Sequence, residues 1–361
     1  METRHRQSAV LAAAAITALT LSACSGGGTG TAASAGAGSS TKPISVVLSN
    51  GFVNGWRQTL IKNFEAAATT LKSDGLVSSY QSVNAPGNNS ATEQASQIRS
   101  LILKKPDVLI VIPASSTALV PVVNEACAAD IKVIILDADM KTNCGHVIRN
   151  DYAQWGADSI NPALKAINGK GNIVINRGVV GSQPEEAFYN KQLSILKNYP
   201  NVKVAATITG MCDASTAQKE LASIIASLPE ITAVPGCIGG QGVVQAFGSA
   251  GRPAPVVVFD TDGKSLKFWK DSKLDNGSFA TLTDPGQGVA ALYVALKLTA
   301  GHKVPDTIVL PMVSIPVADR DIWLKNLSSN EYAAWPWDKA SVDAAIISTE
   351  KGQAVKAPAI K

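Results

Sequence analysis

Histidine is scarce in this chain: three in 361 residues, and only His146 and His302 lie beyond the first 24 positions. No C-x-x-C pair accompanies them, which argues against a zinc site. No run of lysine or arginine stands out and the formal net charge is only +4, which argues against a nucleic-acid partner. The motifs G-x-S-x-G, H-E-x-x-H and the phosphate-binding loop are all missing, so the common signatures of serine hydrolases, zinc proteases and nucleotide enzymes are absent, and no cofactor is implied. After residue 24 no stretch is long and apolar enough to span a membrane. Hydrophobic residues nonetheless make up 46% of the chain. A body of about 300 residues with that composition can build a sizeable core, enough for two lobes of ordinary domain size.

The most informative stretch that is present lies at the start. Arg4 and Arg6 precede a mostly apolar run from Ser8 that ends in Leu21-Ser22-Ala23-Cys24. The run is short for a membrane span and suits a signal-peptide core. Small residues directly before a cysteine look like a bacterial lipobox, in which Cys24 is acylated on sulfur and becomes the new N-terminus. An ordinary secretory signal is the alternative, and either reading exports the chain. Residues 25–41 are almost entirely Gly, Ser, Ala and Thr, too polar and small to offset their ordering entropy, and read as a flexible tether. The layout expected is a signal peptide at 1–23, a tether at 24–43 and a globular body beyond, lipid-anchored at the outer face of the bacterial cytoplasmic membrane. Four cysteines remain, Cys127, Cys144, Cys212 and Cys237. An even number in an exported chain favours disulfides, with three connectivities open.

The body alternates short β-rich runs with helical patterns. Strands are expected at 44–49, 77–83, 108–112, 133–136, 172–176, 202–208, 231–234, 256–259 and 278–282, and helices fall between them. The run Val108–Ile112 is continuously apolar, as a strand buried on both faces must be. Alternation of this kind implies parallel sheets flanked by helices, and so many strands fit two doubly wound lobes better than one sheet. Ligands of such sheets bind beyond the carboxyl ends of the strands.

The residues after each strand are therefore the candidates. They include Asn50 with Trp56 and Arg57, then Asp137, and in the second half Arg177, Asp213, Gln241, Asp260 and Thr283. Carboxylate and amide oxygens accept hydrogen bonds from hydroxyls, arginine donates them, and an aromatic face covers the C–H side of a sugar ring, so the set suits a neutral polyol. Each has a structural alternative: Asp137 and Asp260 as helix N-caps, Trp56 as a core aromatic, Arg57 as a solvated helix residue.

Taken in order and spacing, these pieces resemble the periplasmic sugar-binding proteins of the ribose- and galactose-binding type, the substrate-binding subunits of ABC importers. The resemblance spans roughly residues 44–327 and rests on Ser49-Asn50-Gly51 with Asn54-Gly55-Trp56, on Val133-Ile134-Ile135-Leu136-Asp137, on Asn150-Asp151-Tyr152, on Val258-Phe259-Asp260-Thr261-Asp262-Gly263, and on Thr283-Asp284-Pro285-Gly286-Gln287-Gly288. It implies a type I periplasmic-binding fold of two doubly wound α/β lobes joined by a three-segment hinge. Trp56 takes the place of a sugar-stacking aromatic, Asp137 and Asp260 those of hydroxyl-binding carboxylates, and Thr283 that of a polar hinge residue. Departures bear on which sugar is bound rather than on the fold. Ala138 stands where an arginine often follows the aspartate, residues 183–189 contain no arginine, and Gly236-Cys237 replaces a common Asn-Asp.

The expected division is residues 44–150 with 284–312 in lobe one, 151–283 with 313–327 in lobe two, and an extension at 328–361. Disulfides across the lobes would obstruct closure, so Cys127–Cys144 and Cys212–Cys237 are the expected pairs. The implied protein is a monomer that binds a sugar-like solute, without turnover, for the permease of an ABC importer. A sensor feeding a membrane receptor is an alternative, and an exported glycosidase using Asp137 and Asp260 a more distant one. Gly286-Gln287-Gly288-Val289-Ala290-Ala291 matches a dinucleotide-binding pattern weakly, and export argues against a free nicotinamide cofactor. Tyr332, Trp335 and Trp337 cluster in the extension and are expected to pack against a lobe.

Overall fold

The computed structural model describes residues 42–86, 89–180 and 183–360. The expected signal segment, Cys24 and the tether up to residue 41 lie outside the described residues. The first half runs β1 (Ile44–Asn50), α1 (Gly55–Ser73), β2 (Val77–Asn84), α2 (Ala91–Ile102), β3 (Val108–Ile112), α3 (Val120–Ala128), β4 (Lys132–Leu136) and β5 (Gly145–Asn150). The second runs α4 (Tyr152–Ala166), β6 (Gly171–Arg177), α5 (Gln183–Leu196), β7 (Val202–Thr209), α6 (Ala214–Ile224), β8 (Ala233–Val234), α7 (Gly240–Ser249), β9 (Val256–Phe259), α8 (Gly263–Asp271) and β10 (Phe279–Leu282). The chain then adds α9 (Gln287–Thr299), β11 (Thr307–Leu310), β12 (Val313–Ile315), α10 (Arg320–Lys325) and α11 (Lys339–Glu350).

Two six-stranded sheets result, ordered β11-β5-β4-β3-β1-β2 and β12-β10-β9-β8-β6-β7. The first is wholly parallel, and in the second only β12 runs antiparallel, against β10. Every residue of β3 is buried, as its unbroken apolar run requires. Leu60 and Phe64 of α1 and Leu292 of α9 cover one face of the first sheet, while Ile98 of α2 and Val122 of α3 cover the other. Phe247, Phe259 and Trp269 centre the core of the second sheet. Helix starts follow local chemistry: Asn54 caps α1 through Arg57 N at 2.8 Å, Asp151 caps α4, and Asp262 caps α8. The register pairs Asn50 with Ile112, Leu136 with Ile148, and Asn150 with Leu310, so the carboxyl ends of the first sheet finish level.

The strands β5, β11 and β12 were not expected from the sequence. They are short: His146-Val147-Ile148-Arg149 and Val313-Ser314-Ile315 mix apolar and polar residues, Thr307–Leu310 has only four residues, and each is held as a strand by its pairing. All three lie where the chain passes between sheets. Asn150, fully buried at the end of β5, ties those passages together. Its Oδ1 accepts from Asp284 N at 2.9 Å and from Gln287 Nε2 at 3.2 Å, and its Nδ2 donates to the carbonyls of Leu310 and Pro311 at 3.0 and 2.9 Å.

Two disulfides form, Cys127–Cys144 and Cys212–Cys237, with Cα separations of 5.7 and 5.1 Å. The first joins α3 to the segment before β5, and the second joins the loops after β7 and β8. Neither links one sheet to the other, so both leave the passages between sheets free to bend.

Removing the Asn150 side chain would take the partner from two N–H donors, Asp284 N and Gln287 Nε2, and from the carbonyls of Leu310 and Pro311. Asn150→Ala is therefore expected to cost about 2–4 kcal/mol of stability, read as a lowered midpoint in urea unfolding. A change below about 1 kcal/mol would show that the amide does not hold the hinge.

Candidate functional site

Level strand ends of the first sheet face the second lobe across a cleft of about 870 Å³. Its lining comes from the segments after β1, β3, β4 and β5 on one side and from Val179, Pro184 and Ala187 on the other. Arg57 and Asp137 lie at its floor, with Arg57 Nη2 3.8 Å from Asp137 Oδ2. Phe52 sits over the guanidinium, its ring centroid 3.9 Å from Cζ. Asn50 Oδ1 accepts from Arg57 Nη1 at 3.0 Å and so aims the arginine. Tyr152, in the first turn of α4, donates its hydroxyl to Asp137 Oδ1 at 3.1 Å and to the Asp137 carbonyl at 3.0 Å. Gln287 of α9 accepts from Asp137 N at 3.0 Å. These contacts hold Asp137 at φ +53°, a left-handed conformation that an aspartate adopts at some cost.

The electrostatics show an incompletely compensated pair. Burial raises the Asp137 carboxyl above the usual carboxylate range, and the opposing pull of Arg57, Tyr152 and Gln287 does not offset it. Burial likewise lowers Arg57, against the pull of Asp137. Two charges at 3.8 Å, poorly hydrated and not bidentate, lose more by desolvation than they recover from each other. Hydroxyl groups placed between them would donate to the carboxylate and accept from the guanidinium. Arg149, which also lines the cleft and reaches Asp139 at 3.2 Å, has a buried Nε with no hydrogen-bond partner among the described residues. Ala138 brings no charge to this wall, and the guanidinium groups come instead from α1 and β5.

Other expected residues are placed differently. Trp56, expected to stack on a ring, is only 7% exposed in the core, and its indole N–H donates to the Thr283 carbonyl at 2.9 Å. Thr283 is buried and contributes that carbonyl to the hinge. Asp213 is exposed and caps α6, accepting from Thr216 N and Oγ1, both at 2.8 Å. Gln241, half-buried in the first turn of α7, does not line the cleft volume. Arg177 pairs with Glu185 at 2.7 and 2.8 Å and lies over Tyr189. Asp260 follows β9, whose neighbour β10 leads into the hinge. Burial and the adjacent Asp262 push its carboxyl well above the usual range, while Thr261 N donates to it at 2.8 Å.

Phe52, Tyr152 and Arg149 had not been singled out as ligand residues. Phe52 stands two residues past the end of β1, where a strand-end reading could have found it. Arg149 was hidden because β5 was not expected. Gln94, fully buried in α2, holds the ends of β1 and β3 level by donating to the Ile112 carbonyl at 3.0 Å and accepting from Ala114 N at 2.7 Å. Among the described residues no cluster of His, Cys, Asp and Glu could hold a metal, and no helix is long and apolar enough to cross a membrane.

Residues 44–303 match the family model of the periplasmic binding protein domain. The chain is 30% identical over 251 residues to the xylitol-binding protein of Mycolicibacterium smegmatis, covering 66% of this chain and 70% of that one. It is 47% identical to an ABC transporter solute-binding protein from Thermobispora bispora, whose crystal structure superposes with a TM-score of 0.79 over 88% of this chain and 99% of the other. A periplasmic solute-binding protein from Actinobacillus succinogenes, solved with bound D-allose, shares the fold at 20% identity, with a TM-score of 0.67 over 78% of this chain and 99% of its own.

The raised Asp137 carboxyl generates a pH prediction. Hydroxyl donors favour the ionised carboxylate, so affinity for a polyol should be full above the Asp137 midpoint and fall as pH drops through it. Calorimetric titrations carried from neutral pH toward acid should show weaker binding at the acid end, and Asp137→Asn should flatten much of that slope. Affinity that rises on acidification would contradict the role given to Asp137.

Proposed function

This chain belongs to the periplasmic binding protein domain family, the solute-binding proteins of ABC transporters, and we propose that it captures one small sugar or polyol in the cleft between its lobes. The observation that carries this reading is the Arg57–Asp137 pair, 3.8 Å apart in the cleft, with the Phe52 ring over the guanidinium. Phe52, rather than Trp56, would supply the aromatic face. Asp137 would accept hydroxyl hydrogen bonds from the first lobe and Asp260 from the second. The likeness to a xylitol-binding relative supports an open-chain or cyclic polyol as the solute class.

In this reading residues 44–150 with 284–312 move as one lobe and 151–283 with 313–327 as the other. The pairing of β11 with β5 and of β12 with β10 supports that division. A solute touching both lobes stabilises only the closed form, and the closed form is what a permease would recognise. Binding is reversible and without turnover, and the protein works as a monomer. Cys24, outside the described residues, would carry the lipid that holds it at the outer face of the cytoplasmic membrane.

A thermal-shift screen over sugars, polyols, nucleosides and amino acids, followed by calorimetry, tests the solute. Asp137→Ala and Asp260→Ala should each cost about 1.5–3 kcal/mol of binding, at least about tenfold in affinity, with the fold retained. Binding confined to amino acids or nucleosides would defeat the sugar reading, and a hit indifferent to both substitutions would show the site to be misplaced. Fractionation of cells tests the anchor. Cys24→Ala should move the protein from the membrane to the soluble exported fraction, and an unchanged membrane share would refute lipidation.

A further inference from the structure

Two residues past Asp137 the cleft holds a second carboxylate, Asp139, and each of the two has its own arginine. Arg57 Nη2 lies 3.8 Å from Asp137 Oδ2, and Arg149 Nη2 lies 3.2 Å from Asp139 Oδ2. Strand register brings the pairs together. Leu136 of β4 pairs with Ile148 of β5, and Asp137 N donates to the Ile148 carbonyl at 3.1 Å. Asp137 and Arg149 are therefore the next residues on neighbouring strands, whose backbones run about 4.8 Å apart. Asp139 is at most about 7 Å further along the chain. Sheet order sets the four groups in a row across the strand ends: Arg57 from the helix after β1, Asp137 and Asp139 from the segment after β4, and Arg149 from β5, next to the hinge residue Asn150.

The two pairs differ in how open they are. The Arg57 and Asp137 side chains are 6% and 18% exposed, and the Tyr152 hydroxyl already occupies one carboxylate oxygen of Asp137. The Arg149 and Asp139 side chains are 21% and 54% exposed, and both line the cleft. Arg149 Nη1 donates to the Asn150 carbonyl at 3.0 Å, which fixes the guanidinium against the hinge strand. Its buried Nε has no hydrogen-bond partner among the described residues. The pair therefore lacks the side-on fork, Nε together with Nη2, that makes an arginine–carboxylate contact strong. An open pair of this kind adds little to stability. Its carboxylate oxygens and spare N–H groups are what a solute in the cleft would meet.

We propose that Arg149 and Asp139 form a second hydroxyl-binding station beside Arg57 and Asp137, so that the cleft selects polyols long enough to occupy both. This rests on the sugar or polyol reading of the cleft and narrows it to a length of solute. The buried pair anchors one end of the solute. The open pair takes the hydroxyls of the other end, next to the strand that leads into the hinge. There Asp139 accepts a hydroxyl proton and Arg149 donates to a neighbouring hydroxyl oxygen. Erythritol fills the first station alone, while the longer xylitol and sorbitol also reach the second.

Calorimetric titration of the full chain with erythritol, xylitol and sorbitol tests this, in the parent and in Arg149→Gln and Asp139→Asn. In the parent, xylitol or sorbitol should bind at least about tenfold more tightly than erythritol, the gain expected from hydrogen bonds to charged groups. Each substitution should erase most of that gain and leave erythritol within about threefold of the parent. Asp139→Asn alters an exposed side chain and keeps the Arg149 bond to the Asn150 carbonyl, so it separates loss of the station from loosening of the hinge strand. A parent without a preference for length overturns the proposal, as do variants that keep the parent's preference. Equal weakening of all three polyols in both variants would show a structural role only and overturns it as well. Binding of none of the three to the parent chain would count against the polyol reading itself, and the second station falls with it.

Discussion

A single buried side-chain amide holds together the place where the chain passes between its two sheets. Asn150 bonds the segment after β10 through Asp284 N and Gln287, and the segment after β11 through the Leu310 and Pro311 carbonyls. Asp284 extends the network by accepting from Gly286 N, Trp335 N and Trp337 Nε1. Burial raises the Asp284 carboxyl to about 6 despite those three donors, so the network carries a charge it cannot fully offset at neutral pH. The carboxyl midpoint lies above that of the unfolded chain. This group therefore costs stability above pH 6, and the cost is relieved as pH falls through 6 toward the ordinary carboxylate range. Fully connected polar networks of this kind fix one arrangement of the backbone where apolar packing would permit several.

The cleft follows from that hinge. Gln287, bonded to Asn150, also bonds the Asp137 amide, so the hinge and the floor of the cleft share a residue. Arg57 and Asp137 are kept close without being allowed to neutralise each other well, which would make little sense as a stabilising ion pair. As a receptor for hydroxyls it is coherent. In the proposed reading, a solute would complete the hydrogen bonds that the protein leaves unmade, and closing of the lobes would exclude the water that otherwise competes.

Much of this was legible in the sequence. Strands buried on both faces, such as β3 and β4, announce themselves by unbroken apolar runs, and the disulfide pairs follow from keeping each within one lobe. What escaped notice depends on partners far along the chain. The strands β5, β11 and β12 carry no strong pattern of their own. Trp56 and Phe52 are both aromatics shortly after β1, and only the packing of Trp56 into the first core, against residues far along the chain, decides which one is covered. Asp213 stands in the sequence as a strand-end ligand candidate, and the Thr216 donors three residues on give it a helix-capping role instead of an open carboxylate. The extension was expected to pack against a lobe; it bonds α1 through Tyr332 N and Thr59 Oγ1, and the start of α8 through Gly263 N and the Glu331 carbonyl, contacts that no local pattern announces.

The central claim is that a polyol bound to Arg57 and Asp137 closes the lobes about the Asn150 hinge. Small-angle X-ray scattering of the full chain with and without a saturating amount of the tightest-binding solute tests it most directly. The account predicts a smaller radius of gyration with solute, and no change for Asp137→Ala at the same concentration. A radius that stays constant in the parent chain at saturation would contradict it.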